Sequence, residues 1–201
     1  MTRMLLTLAL AAWGLAWGPV VAGAQDAYKV GAVFSITGPG SSLGIPERDT
    51  ALMLEADINA KGGIKGPDGK LHPLKMVIYD DASDETKAVL AAKKLIDEDK
   101  VTAIVGTTLS GTSLAILDTV QKAEVPLVSC AAAVKIVEPV AERKWVFKTP
   151  HTDRMACEKI FVDMRSRGAT RAALISGTGG FDRSMRAECL KVAAKHGVEI
   201  V

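Results

Sequence analysis

The segment Gly106-Thr107-Thr108-Leu109-Ser110-Gly111-Thr112-Ser113 concentrates hydroxyl side chains and bare backbone where a buried strand gives way to a helix. A helix start carries free N–H donors and partial positive charge, so it suits a carboxylate or a phosphate. A hydrogen bond to a charged group contributes roughly 1.5–3 kcal/mol, so a few of them in a closed cleft give tight binding. The competing expectation is that these Ser and Thr residues only cap the helix. Two further loops leave the same ends of neighbouring strands, Thr37–Gly44 and Cys130–Val134, and ligands of open α/β sheets bind outside those ends.

Other clusters carry less. Asp80, Asp81, Asp84 and Glu85 suggest a metal site, but acids between a strand and a helix more often cap that helix and favour its dipole. Gly177-Thr178-Gly179-Gly180 sits like a dinucleotide loop and lacks the full G-x-G-x-x-G pattern, because Asp182 stands at the sixth place. Neither a nucleophile elbow nor a P-loop occurs. His72, His151 and His196 stand apart, with no i,i+4 partner and no acid or nucleophile spaced beside them. No catalytic constellation emerges, so the chain reads as a binding protein and not an enzyme, with no cofactor and no metal.

The elements that must position these loops follow from pattern. Arg3, the apolar run Met4–Trp17 and the small-x-small site Ala22-Gly23-Ala24 describe a secretory signal peptide over residues 1–24. As a membrane anchor the run is too short, since a spanning helix needs roughly 20 apolar residues. Removing Arg3 with the leader takes 25 basic residues to 24 against 23 acidic, which argues against nucleic acid or a membrane surface as partner. After the leader, the pattern predicts strands over Tyr28–Ile36, Leu71–Tyr79, Val101–Gly106 and Pro126–Ser129. Helices are predicted between them over Ile45–Lys61, Asp84–Asp99 and Leu109–Lys122. Pro46 is then in a first turn, and Gly62-Gly63 closes the first helix. That alternation gives an α/β fold, a doubly wound parallel sheet.

Cys130–Arg143 reads as irregular chain over the surface, followed by a short extended piece, Trp145–Lys148. At Thr149-Pro150 the pattern restarts. A helix from Thr152 or Asp153 to about Arg167, a strand Arg171–Ser176, a helix Asp182–His196 and the first residues of another strand follow. The division expected is therefore 25–148 for a first lobe and 149–201 for part of a second. A sheet that small cannot cover both of its own faces, so either more chain follows or the product is truncated. Cys130, Cys157 and Cys189 fit no zinc spacing and are expected as buried structural thiols, at least one of them unpaired within a monomer.

These residues resemble a family. Ser35-Ile36-Thr37-Gly38-Pro39, Ile58-Asn59-Ala60-Lys61-Gly62-Gly63-Ile64, Tyr79-Asp80-Asp81, Ser110-Gly111-Thr112-Ser113 and Val125-Pro126-Leu127-Val128-Ser129 are similar to the opening of type I periplasmic binding proteins for leucine, isoleucine and valine. The resemblance implies two α/β lobes on a three-stranded hinge that close over a small ligand, and a membrane permease of an ABC importer as partner of a monomeric, periplasmic protein. It implies that Ser110 and the backbone of Gly111 and Thr112 hold the ligand carboxylate. Ala132 and its neighbour Ala133 would offer backbone groups to the amine, and Leu43 and Phe181 would supply the contacts that are often aromatic. Val134 departs from the pattern, since amino-acid binders often carry a threonine there. The alternative function on the same fold is a sensory or regulatory domain for amides or amino acids.

Overall fold

The structure, a computed structural model, describes residues 26–201, and the leader expected over 1–24 lies outside them. Strand β1 (Tyr28–Phe34) is the apolar run that opens the sheet, and it ends fully buried at Ala32, Val33 and Phe34. It is flanked by β4 (Leu74–Asp80) and β5 (Ala103–Gly106), and β6 (Leu127–Ser129) and β7 (Val146–Lys148) extend the sheet. The order is β4-β1-β5-β6-β7 and every pairing is parallel, with Val33 level with Tyr79 on one side and Gly106 on the other. Parallel strands need crossovers, and the helices that make them cover the sheet. Helices α2 (Glu85–Asp97) and α3 (Ser110–Lys122) bury Ala88, Ala92, Leu95, Ile116 and Val120 against Val33, Ile104 and Leu127. On the other face α1 (Ser41–Ala60) lays Ala51 over Ala32 and Phe34.

Several expectations are corrected. Helix α1 starts at Ser41, not Ile45, because the Gly40 carbonyl already accepts from the N–H groups of Leu43 and Gly44. Pro46 is therefore inside the helix; it leaves the Ser42 carbonyl without its usual donor, and Ser42 is exposed, so water can take that role. The strand expected over Leu71–Tyr79 breaks at Pro73. Its start, β3 (Leu71–His72), pairs instead with β2 (Ile64–Lys65) around the Gly66–Gly69 turn. That hairpin brings His72 Nε2 to 3.1 Å from Asp68, an i,i+4 partner after all, and His196 Nε2 lies 2.5 Å from Glu158. Of the segment expected to run over the surface, Cys130–Arg143, the later part does so, with Pro139–Glu142 exposed, but the earlier part is largely buried. Ala131, Ala133, Val134 and Ile136 are buried, since a 3₁₀ turn at Val134–Ile136 tucks them against α3.

After β7 the chain builds α4 (Asp153–Ser166) and α5 (Gly180–Lys195), which pack on each other, and a parallel pair, β8 (Arg171–Ala172) and β9 (Glu199–Ile200). Thr152 caps α4, its side chain accepting from the Met155 N–H. Strand β8 is far shorter than the expected Arg171–Ser176. It pairs only with β9 among the described residues, and Ile175 is 95% exposed. Cys157 and Cys189 are not free thiols but form a disulfide between α4 and α5. Cys130 is free, and burial pushes its thiol up to about 11. Arg154 ties three segments together: both terminal nitrogens meet Glu138 at 2.9 Å, and Nε meets Glu188 of α5 at 2.6 Å. No helix of the described residues is long and apolar enough to cross a membrane.

Candidate functional site

Strand β5 ends at Gly106, and three residues later α3 begins with Leu109 as its N-cap, which offers no capping side chain. The N–H groups at Gly111 and Thr112 have no acceptor among the described residues. Most of the hydroxyls nearby are committed elsewhere. Thr112 Oγ1 donates to Thr107 (2.7 Å), Thr107 meets Ser113 (2.8 Å) and Ser113 meets Ser129 (2.8 Å), a buried chain that ties the α3 start to β6. Thr108 accepts from the Ser35 N–H and donates to Glu47, whose carboxyl burial pushes up. Ser110 is different. Its Oγ accepts from the Ala133 N–H at 3.3 Å, which leaves its own proton free to donate.

The acids after β4 shape the neighbouring loop. Asp80 accepts from the Ile36 and Thr37 N–H groups and from the Thr37 hydroxyl (2.6 Å), and buried Asp81 accepts from Ser35 (2.7 Å) and from the Ser83 N–H. Asp84 caps α2 through Lys87. Among the described residues no group of three or more His, Cys, Asp or Glu is placed to hold a metal.

The start of α5 meets the start of α3. A β-carbon on Gly180 would lie 2.5 Å from the Gly111 nitrogen, so only a bare backbone permits this approach. Beside the contact is a cavity of about 230 Å³, lined by Ser110, Gly111, Thr112, Gly180 and Phe181 with the carboxylates of Glu85 and Asp182. Two helix N-termini, each equivalent to roughly half a positive charge, thus converge on a space that also holds two acids. Asp182 accepts from the Gly179 N–H at 3.0 Å, and a β-carbon on Gly111 would lie 2.6 Å from Glu85 Oε1.

Of the residues singled out from sequence, Ser110, Gly111, Thr112 and Phe181 come together at this cavity. Leu43 is 56% exposed on the first turn of α1 and does not line it. Ala133 is buried and donates to Ser110. The Ala132 carbonyl already accepts from Lys148 Nζ and from the Asp153 N–H, and the Val134 N–H donates to Asp153 Oδ1. Gly180, Glu85 and Asp182 also line the cavity, and the sequence places them only in an incomplete dinucleotide loop and an acid cluster, not beside Ser110. The doubled glycine before Phe181 was the available signal for a close backbone approach.

A parallel sheet whose helix α3 faces a second α/β unit across a small cavity is the arrangement of a small-molecule binding protein. The chain matches the family described as "Periplasmic binding protein" over residues 27–201, and it belongs to that family. It is 43% identical over 70 residues to the Leu/Ile/Val-binding protein of Escherichia coli (strain K12), a match covering 35% of this chain and 18% of that protein. Among solved structures it is similar to an extracellular ligand-binding receptor from Rhodopseudomonas palustris HaA2 (TM-score 0.75, 31% identity, 88% of this chain and 46% of that one). It is also similar to a solute binding protein of an ABC transporter from Rhodopseudomonas palustris BisB5 in complex with 3,4-dihydroxy benzoic acid (TM-score 0.73, 25% identity, 88% and 46%). The chain spans less than half the length of these proteins. These relatives are binding proteins and not enzymes, and the fold is that of type I periplasmic binding proteins.

Proposed function

We propose that this chain is the solute-binding component of an ABC importer and holds a branched-chain amino acid or a related small carboxylate between α3 and α5. In this reading it is exported to the periplasm through a cleaved leader and serves a membrane permease as a monomer. Residues 25–148 and 149–201 belong to two lobes that close over the ligand. The observation that carries the reading is the convergence of the two helix starts, Gly180 against Gly111, on a cavity of about 230 Å³. That volume is below the usual range for drug-sized ligands, which suits a solute of amino-acid size. The ligand's acid group takes the free N–H groups at Gly111 and Thr112 and the Ser110 proton. An α-ammonium, where the ligand has one, meets Glu85 and Asp182, and Phe181 covers the apolar part.

The names of the relatives support both ligand classes, branched-chain amino acids for one and an aromatic acid for another. A thermal-shift panel of amino acids, short aliphatic acids and aromatic acids tests the reading, because a ligand that binds only the folded state raises Tm. A rise with leucine, isoleucine or valine is expected, or with a small acid of similar size. If no member of the panel moves Tm, the reading fails. If only amine-free acids do, the role given to Glu85 and Asp182 as an ammonium site fails.

A further inference from the structure

Asp81 is fully buried where the end of β1 meets the first turn of α3. One of its oxygens, Oδ1, takes both the Ser35 hydroxyl at 2.7 Å and the Ser83 N–H at 2.8 Å. The other, Oδ2, is buried and has no hydrogen-bond partner among the described residues. Buried polar atoms are nearly always paired, so an orphaned one calls for an explanation. The charged groups around it share its sign. Asp80 beside it and Glu47 of α1 act on it as like charges, Glu85 opens α2, and α3 carries no charge before Asp118. Lys87, the first cation of α2, is exposed and lies in a surface hollow with Asp80 and Leu90.

A carboxylate in that setting is costly, since burial without a cation disfavours the charged form. A proton on Oδ2 removes the cost and turns the orphaned oxygen into a donor. The acceptor at hand is Thr112 Oγ1, which acts on Asp81 from α3. The Thr112 proton is already shared between Thr107 at 2.7 Å and the Leu109 carbonyl at 3.0 Å, so its oxygen is free to accept. The series Asp81, Thr112, Thr107, Ser113 and Ser129 then runs unbroken from the loop after β4, under the start of α3, to β6. We infer that Asp81 is a positioning residue for the acid-binding start of α3 and serves in its neutral form, so that an anion bound at Gly111 and Thr112 draws one proton from solvent onto Asp81. This rests on the carboxylate site proposed above. The coupling is reciprocal. A negative charge at Thr112 disfavours a second one at Asp81, so binding weakens as pH rises and Asp81 ionises.

Two measurements on the full chain test this. The first needs no ligand. NMR follows the carboxyl carbon of Asp81, assigned by its loss in Asp81→Asn, from roughly pH 3 to 8, together with the amides of Gly111 and Thr112. Asp81 should titrate above the ordinary aspartate value of about 3.9, and both amides should move with the same midpoint. Titration at or below that value, or amides that ignore it, would overturn the positioning role whether or not the function proposed above holds. The second is calorimetry with L-leucine, which stays a zwitterion throughout, in two buffers of different ionisation heat. Proton uptake is expected, with affinity falling at least about fivefold from about pH 5 to 8, the low end of coupling between two sites. Asp81→Asn keeps the shape of the neutral acid and should flatten the profile, binding about fivefold more tightly than the wild type at the upper end. Glu47→Gln should keep a pH dependence. A wild type indifferent to pH, an Asp81→Asn variant that follows the wild-type profile, or a flat Glu47→Gln profile would each overturn the coupling. Failure of L-leucine to bind at any pH would overturn the coupling for amino acids, and the carboxyl titration then decides the positioning role alone.

Discussion

Gly180 rests its bare α-carbon on the backbone of Gly111. A β-carbon there would stand 2.5 Å from the Gly111 nitrogen and 2.7 Å from its α-carbon. Both of those atoms belong to the first turn of α3 and cannot yield as a flexible side chain would. Gly180→Ala therefore has to push α5 off α3. Overpacking of this kind typically costs about 1–3 kcal/mol, which read in affinity is about fivefold to 150-fold. Alanine is also the better helix former, so α5 itself should not weaken. The expected outcome is weaker ligand binding in calorimetry with Tm close to wild type. Unchanged affinity would show that the docked arrangement of α5 is not the binding one.

Ser110 has a structural duty as well as a candidate ligand. It is buried, it is the first helical residue and not the cap, and its oxygen satisfies the Ala133 N–H. Ser110→Ala should therefore lower stability by roughly 1–3 kcal/mol, the cost of a buried donor left unpaired, and weaken ligand binding by about tenfold to a hundredfold. Denaturant unfolding and calorimetry on the same variant separate the two. A variant that loses stability and keeps its affinity would remove Ser110 from the carboxylate site.

The sheet was legible because each strand is a near-continuous apolar run and each crossover helix shows its buried face every three to four residues, as Ala88, Ala92 and Leu95 do. The start of α1 was not, since Pro46 reads as a helix beginning and the Gly40 carbonyl that really nucleates the turn leaves no mark in the sequence. In the same way the types and spacing of Ser110, Gly111 and Thr112 announce a helix start with free donors, whereas the proximity of Glu85 and Asp182 depends on how α2 and α5 lie beside α3. The Cys157–Cys189 bond was invisible for the same reason, as it depends on the packing of two helices across 32 residues.

That disulfide should matter most to the unit that carries it. A loop of this length gives roughly 2–4 kcal/mol of stabilisation. The bond adds to a small core, Phe161, Val192, Ala193 and Val198, and to the Arg154–Glu188 and Lys195–Glu158 pairs that also join α4 to α5. Cys157→Ser, or a reductant on the wild type, is expected to lower the protection of α4 and α5 amides from hydrogen exchange while β1 and β5 keep theirs. Cys130→Ser should change neither, since Cys130 is free. Equal loss across both units would mean that they unfold as one.

Acid should also attack the α4–α5 unit first. Glu188 is nearly inaccessible, and the Arg154 hydrogen bond holds its carboxyl below the usual range, with Lys191 adding to the effect against the opposing influence of burial. Glu158, bonded to His196 and Lys195, shifts the same way. A carboxylate whose folded pKa is depressed contributes stability that is present above its unfolded value, about 4.3 for Glu, and lost as pH falls through the folded one. In the five-stranded unit the shifts oppose one another. Burial raises Glu47 and Asp81, whose contribution is greatest in acid and falls as pH rises through their folded values. Asp80 is lowered despite its burial, by the Thr37 hydroxyl and by the N–H groups of Ala82, Thr37 and Ile36. Hydrogen exchange between pH 6 and pH 3, roughly bracketing the Glu value, should therefore show α4 and α5 opening before β1 and β5. Glu188→Gln should flatten that difference and cost about 1–3 kcal/mol at neutral pH, where the ionised pair is complete. If the variant keeps the full acid sensitivity of the wild type, the Arg154–Glu188 contact is not what makes this unit depend on pH.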